Sequence, residues 1–408
     1  MLWWGGGAVA GYVLMMWTNP VRPCLRDGWR AIRRYPRLWL TMGGFWFFHA
    51  VFRLGERAYL HWLLPPESRP EFLWTRAAWD DPKLWLTGSP ESAWWLPRSE
   101  FAGAVQSSFT PALEQLAVLF NYLPDTFPFS ALAALFFVFN WHGYQRALWQ
   151  ALSKRYGWIG RLVHLAILVF ALAAVAKPLA YGAVHWVPLR FWMQWSQVVA
   201  WLSFGFEYSL GVCVQLYLIF VAYAWVRGIS VEPRRVFTLA VRRFAVVLKW
   251  AALLFALSTV AIDLPLLAQS VGDPVTQNPQ WEELGRRIET GRLLIAVLTL
   301  CGAGIQIALA LHTRSFWRAT RDHFRRVFRG WWTYGWFFFL AAFHFFALCA
   351  LLDCVARGVG EGTALWVSWR LFSPWLAAGV NAWLLASWVC LYQQCGRSRS
   401  STVEPVRY

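Results

Sequence analysis

Nine segments of roughly 20 predominantly apolar residues recur along this chain of 408 residues, and about 20 such residues form a helix that crosses a bilayer core. Only 14% of the residues are charged, whereas a soluble domain carries about a quarter. The chain is therefore predicted to be an all-α integral membrane protein with about nine transmembrane helices. This excludes a soluble globular enzyme and a disordered chain. The segments are 2–19, 38–60, 126–144, 158–184, 205–226, 246–269, 292–312, 331–355 and 371–394.

The distribution of charge predicts how these helices are oriented. Most of the 38 Lys and Arg residues lie in alternate connections, namely 20–37, 145–161, 227–249, 314–329 and the C-terminal tail. Lys and Arg accumulate in the cytoplasmic loops of membrane proteins. We therefore expect a multi-pass protein of a bacterial-type inner membrane, with its C-terminus in the cytoplasm. The net charge of +17 is read as a topology signal, so no nucleic-acid partner is expected.

Four of the basic connections resemble one another. Each has an alanine two residues after an aromatic or polar residue, followed by one or two basic residues and then by an aromatic-rich span. The alanines are Ala31, Ala151, Ala240 and Ala319. Helices with arginine on one face and apolar residues on the other lie in the headgroup plane of a membrane. We therefore predict four repeated units, each with a basic interfacial helix and a transmembrane hairpin.

These units divide the chain into six parts. A first transmembrane helix at 1–19 is followed by unit 1 at 20–144, unit 2 at 145–226, unit 3 at 227–313, unit 4 at 314–394 and a polar cytoplasmic tail at 395–408. Unit 1 includes a tryptophan-rich outer loop at 62–125, which is expected to lie on the outer leaflet or on a partner. Stacking of its tryptophans on sugar rings is the alternative interpretation of this loop.

Anionic lipids are the partners that the basic helices predict. Each Lys or Arg close to an anionic membrane surface contributes about 1 kcal/mol of attraction. The 31 tryptophans agree with this, because tryptophan concentrates at membrane interfaces. The candidate lipid-binding residues are Arg30, Arg33, Arg34, Lys154, Arg155, Arg242, Arg243, Arg318, Arg321 and Arg325.

Polar residues inside the spans are the second group of candidates, since burying such groups is costly without a partner. The predicted outgoing spans carry histidines or an aspartate, and the returning spans carry amides or a glutamate. This group comprises His49, His164, Glu207, Gln215, Asp263, Gln306, His344 and Asn381, together with Asn140. They predict either hydrogen bonds between helices or a polar path through the bundle.

Two opposite charges, Lys177 and Glu207, lie near the outer ends of two predicted spans. They can pair if the two helices are neighbours. Long side chains at such positions commonly reach to the membrane surface instead, and we expect this second arrangement.

One short motif indicates chemistry. The segment Phe139-Asn140-Trp141-His142-Gly143 resembles the W-H-G stretch of membrane-bound O-acyltransferases over about a dozen residues. In that family the histidine acts as the base that activates an acceptor hydroxyl, so the resemblance implies a catalytic role for His142. The aromatic and arginine-rich segment that precedes the motif in that family is not found in this sequence.

No other catalytic motif is found. The seven cysteines include no C-x-x-C pair, so neither a metal site nor a cofactor is predicted. The leading functional hypothesis is a non-enzymatic, lipid-contacting scaffold or a subunit of a larger membrane assembly, with other membrane-protein subunits as partners. The alternatives are a transporter of small solutes or lipids that uses the polar path, and an acyl-transfer enzyme centred on His142.

Overall fold

The computed structural model describes residues 21–34, 130–182, 189–229, 231–264, 280–359 and 364–394, with isolated positions between 36 and 51. Within these residues the secondary structure is helical, and no strand is found. Two π-helical turns, Trp141–Gln145 and Thr259–Asp263, adjoin α-helices. The α-helices are α1 (Arg22–Arg34), α2 (Ser130–Phe139), α3 (Arg146–Tyr156), α4 (Trp158–Gly182), α5 (Leu189–Val226), α6 (Pro233–Ser258), α7 (Gln280–Leu311), α8 (Phe316–Arg329), α9 (Trp331–Val359) and α10 (Ala364–Gln394).

Five helical segments are long and apolar enough to cross a membrane, and each overlaps a predicted span. They are Trp158–Lys177, Val198–Val226, Pro233–Ala261, Leu293–Leu311 and Leu371–Gln393. The predicted span 331–355 lies within the 29-residue helix α9. The prediction of an all-α, multi-pass membrane protein is confirmed in this form, and the total of nine spans stays a prediction. The predictions for 1–19, for most of 38–60, for the outer loop 62–125 and for the tail 395–408 lie outside the described residues.

The predicted span 126–144 is wrong at its C-terminal end. Helix α2 ends at Phe139, and the chain leaves helical geometry at Asn140 and again at Gly143. The side chain of Gln145 stabilises this break, since its Nε2 donates to the carbonyls of Phe137 and Val138 at 3.2 and 3.3 Å. An amide therefore satisfies two carbonyls that a continuing helix would have bonded itself.

A glycine stands between two of the basic helices and the spans that follow them. Gly157 stands between α3 and α4 with a φ of 59°, a conformation that glycine adopts without strain. Gly330 ends α8 before α9 begins. Helix α6 has no glycine, and it runs without interruption from its basic turns into the span. Unit 3 therefore departs from the predicted plan, because Arg242 and Arg243 lie on the first turns of a long helix.

Helix α4 exposes an apolar stripe along one side. Leu162, Leu165, Val169 and Leu172 are all about half exposed, and their spacing of three and four residues places them on one helical face. A soluble protein rarely exposes a continuous apolar stripe of this length. Such a stripe is typical of a helix that contacts lipid or another apolar surface.

Helix α5 is the centre of the described bundle. It packs against α4, α6 and α10, and also touches α1, α2 and α7. The part of α5 that could span a membrane is the most buried of the five candidate segments. The core beside it contains large aromatic side chains, among them Phe220, Trp388 and Tyr392.

Helix α1 docks on α10, at the other end of the chain. Trp383 donates its Nε1–H to the carbonyl of Leu25 at 2.8 Å. Gly28 faces Ser387 so closely that a Cβ on Gly28 would lie 2.7 Å from the Ser387 backbone nitrogen. The absence of a side chain at Gly28 is therefore what allows these two helices to touch.

Gly28→Ala is expected to destabilise the protein by about 1 to 3 kcal/mol, because the new methyl group would meet backbone atoms that cannot move independently. The measurement is the thermal unfolding midpoint of the purified protein in detergent. Gly335→Ala is the matched control, since among the described residues no atom beyond its own helix backbone and chain neighbours lies within 4 Å of the Cβ it would add. Equal midpoints for the two variants would contradict this packing.

Candidate lipid-contact site

Two short helices, α1 and α8, separate apolar from cationic residues. In α1 the buried residues include Cys24, Leu25 and Ile32, whereas Arg30 and Arg33 are exposed. In α8 the buried residues are Ala319 and His323, and the arginines at 318, 321 and 325 are exposed. Both helices therefore turn one face to the protein and an arginine-rich face outward, as helices at a membrane surface do.

The residues predicted to bind lipid all reach the surface. Arg243 is partly buried, and the other nine are exposed: Arg30, Arg33, Arg34, Lys154, Arg155, Arg242, Arg318, Arg321 and Arg325. Three alanines of the repeated pattern, at 31, 240 and 319, are buried, and Ala151 is partly buried. The alanine thus marks the protein-facing side of each segment, and the bases that follow it point away.

Large aromatic side chains are exposed beside these cations. Trp317 on α8 is 74% exposed and Trp158 at the start of α4 is 69% exposed. Trp331 and Trp332 follow Gly330 directly and are also exposed. Tryptophan in this position buries its ring among lipid headgroups and keeps its N–H hydrated.

An apolar cavity of about 280 Å³ opens near the C-terminal end of α5. Arg37 is the only charged residue among the described residues that line it. The lining comprises Arg37, Leu40, Tyr217, Val221, Trp225, Val231 and Pro233. A groove with one cation and an otherwise apolar wall matches the chemistry of an acyl chain below an anionic headgroup.

Lys177 and Glu207 form an ion pair between α4 and α5, with Nζ and Oε1 3.6 Å apart. Their side chains are 22% and 10% exposed. The expectation that both would reach separately to the membrane surface is therefore wrong. The close packing of these two helices along their length brings the charges together, and each charge lowers the cost of burying the other.

His164 is buried between two tryptophans of the neighbouring segment. Its ring lies 6.1 Å from that of Trp141 and 5.1 Å from that of Trp149, both edge to face. His164 thus ties the helix break at 140–145 to α4.

The other predicted polar residues do not meet in one cavity. Gln215, Gln306 and Asn381 are buried on α5, α7 and α10, and neither described cavity includes them. His344 contacts the carbonyl of Leu340 on its own helix at 2.6 Å and the ring of Trp383. His49 and the side chain of Asp263 lie outside the described residues.

His142 is exposed within the π-helical turn that breaks the chain after α2. A Cβ on Gly143 would lie 2.2 Å from Oδ1 of Asn140, so glycine permits the tight turn. Trp141 packs on His164, as described above. The W-H-G residues therefore have a structural role in this break, and neither described cavity reaches His142.

His323 is a residue that the sequence reasoning missed. It is 1% exposed, and its Nε2 lies 2.7 Å from the carbonyl of Cys301 on α7. Because a carbonyl only accepts, Nε2 carries the proton. Its position one helical turn after the repeat alanine Ala319 is a signal that could have identified it.

Arg326 fastens the same helix to α10. Its guanidinium lies 4.5 Å from the centre of the Tyr392 ring and donates to the Tyr392 carbonyl at 3.2 Å. His312 stacks on the Tyr392 ring with centroids 5.7 Å apart. Helix α8 is therefore held to two candidate spans through its protein-facing side, while Arg318, Arg321 and Arg325 remain exposed.

The pKa of His323 is lowered, chiefly by burial, and Arg326 lowers it further against the opposing effect of the bond to Cys301. The unprotonated Nδ1 lies where a Cβ on Gly304 would be only 2.2 Å away. Protonation at Nδ1 would place an N–H against this helix without an acceptor among the described residues. The folded protein therefore favours neutral His323.

Replacing either member of the Lys177–Glu207 pair is expected to lower stability by roughly 2 kcal/mol, because a mostly buried charge loses its partner. The double variant Lys177→Met/Glu207→Leu is expected to recover most of this loss. The test is a double-mutant cycle of thermal unfolding in detergent. Additive losses would mean that the two side chains do not interact.

The protein is expected to become less stable as the pH is lowered, because burial favours the neutral form of His323. A histidine with a lowered pKa in the folded state leaves stability intact above the unfolded value, about 6.5, and reduces it as the pH falls below that value. His323→Gln retains a donor for Cys301 and should flatten the unfolding profile between pH 7 and pH 5. His142→Gln, which replaces an exposed histidine, is the matched control. An unchanged profile for His323→Gln would contradict a neutral buried imidazole.

Within the described residues, no group of three or more His, Cys, Asp or Glu side chains is arranged to hold a metal ion. Five cysteines of that part are free thiols. No family model matches the chain, and comparisons with curated proteins and with solved structures found no significant match. A function is therefore inferred from the residues and their arrangement.

Proposed function

We propose that this chain is a lipid-contacting scaffold, or a subunit of a larger assembly, in a bacterial-type inner membrane. Anionic lipids bind its basic face, which lies on the cytoplasmic side together with the C-terminus. Other membrane-protein subunits pack against its exposed apolar surface. The chain repeats one plan four times, with a basic helical segment followed by a transmembrane hairpin.

The observation that carries this proposal is the separation of charge on the basic segments. All ten candidate cations reach the surface, while the alanine side of the same segments packs on the spans. The exposed tryptophans at 158 and 317 belong at the depth of lipid headgroups. The apolar stripe of α4 supports contact with acyl chains beside that basic face.

The charge of α1 offers a direct test. Anionic phosphatidylglycerol is expected to raise the unfolding midpoint of the purified protein more than zwitterionic phosphatidylcholine does. The triple variant Arg30→Gln/Arg33→Gln/Arg34→Gln should lose part of this difference, because each cation near an anionic surface contributes about 1 kcal/mol.

The control removes the same charge elsewhere. Arg397→Gln/Arg399→Gln/Arg407→Gln changes three arginines of the C-terminal tail and should keep the wild-type response. Equal midpoints of the wild type in the two lipids would overturn lipid binding by the basic face. Extraction from native membranes in mild detergent as a partner-free monomer would count against the assembly role.

A further inference from the structure

A second cavity, of about 410 Å³, lies where three basic segments meet. Its walls come from the end of α3, from α6, and from the connection between α7 and the start of α8. Four of the eight lining residues are cationic and none is acidic. They are Arg155, Lys249, Thr313, Arg314, Ser315, Phe316, Trp317 and Arg318.

The cations are held close together by the fold itself. The guanidinium of Arg155 donates to the main-chain carbonyl of Arg314, so two arginines from distant parts of the chain share this wall. Arg243 on α6 is near enough for its guanidinium to be repelled by the charges of Arg155 and Arg314. Like charges in one concave site repel one another, and an anion in the cavity removes that repulsion.

The first turn of α8 adds a further positive contribution. Ser315 precedes the helix in extended conformation and makes no side-chain cap. The first intrahelical bond runs from the Ala319 N–H to the Ser315 carbonyl at 2.9 Å. The N–H groups of 316, 317 and 318 come before it, at the cavity wall, where the helix dipole favours negative charge. Phosphate groups bind at helix ends of this kind.

The position of the cavity indicates that its anion comes from a lipid. Arg155 lies three residues before Trp158, where one candidate span begins, and Arg314 lies three residues after Leu311, where another ends. The cavity is thus at the depth where a span passes into the headgroup region. The exposed ring of Trp317 stands in its lining, which suits contact with the upper part of an acyl chain.

We propose that this cavity binds a phosphate-bearing lipid headgroup that carries more than one negative charge. Four cations are more than a single phosphodiester charge balances, and arginine pairs with phosphate oxygens in a two-pronged geometry. This inference rests on the proposed function and names the headgroup that the basic face selects. A free polyphosphate shares the same chemistry, and the experiment separates the two sources.

The test uses the full chain, purified in detergent and stripped of native lipid. Thermal shift titrations compare cardiolipin, which has two phosphates, with phosphatidylglycerol, which has one, and with inorganic pyrophosphate. The cavity variant is Lys249→Gln/Arg318→Gln, and both of these side chains are exposed. The matched control is Arg321→Gln/Arg325→Gln, which removes the same charge from exposed positions of α8 outside the cavity lining.

The wild type and the control are expected to bind cardiolipin roughly tenfold more tightly than phosphatidylglycerol, and the cavity variant should lose this preference. The cavity variant should still respond to phosphatidylglycerol as the control does. A cardiolipin preference that survives in the cavity variant would overturn the inference but leave the proposed function intact. Stabilisation by pyrophosphate that depends on the cavity residues and matches that of cardiolipin would overturn the lipid source. Indifference of every variant to both lipids would overturn the inference and the proposed function together.

Discussion

The structure depends on keeping arginine and apolar side chains at different depths in a medium that has no water at its centre. A helix satisfies its own backbone, so spans can cross lipid, but a charged residue near the middle of a span is costly. Two of the basic helices meet this constraint with a break before the span that follows. Gly157 stands between α3 and α4 and Gly330 between α8 and α9, and Gly157 has the positive φ that glycine adopts without strain. Where no glycine intervenes, as in α6, the arginines occupy the first turns of the span itself.

Packing on the inner side of these segments uses small and aromatic residues together. Gly28 and Gly304 allow another helix to approach closely. Tyr392 is reached from two other elements, by the guanidinium of Arg326 and by the ring of His312. The buried charges of Lys177 and Glu207 are paired with each other across α4 and α5. This ion pair therefore acts as a fixed link between two helices.

Hydropathy along the sequence was enough to predict the apolar spans. Features that depend on contacts between side chains and neighbouring helices could not be predicted from it. The five candidate spans overlap predicted segments because their apolar length alone determines them. The end of α2 at Phe139 depends on Gln145 reaching back to two carbonyls, which composition does not reveal. The burial of His323 depends on which face of α8 meets α7. This face is hard to recognise in the sequence because arginines lie on either side of His323. The pairing of Lys177 with Glu207 required knowledge of which helices are neighbours.

The bond from Trp383 to the Leu25 carbonyl joins positions 358 residues apart. During synthesis the first basic helix emerges long before its acceptor surface on α10 exists. Until α10 has been synthesised, the side of α1 that contacts it is not covered by α10. An amphipathic helix in this state can lie on the membrane surface. Docking of α1 on α10 therefore follows the synthesis of α10, and it requires that this last described helix is in place.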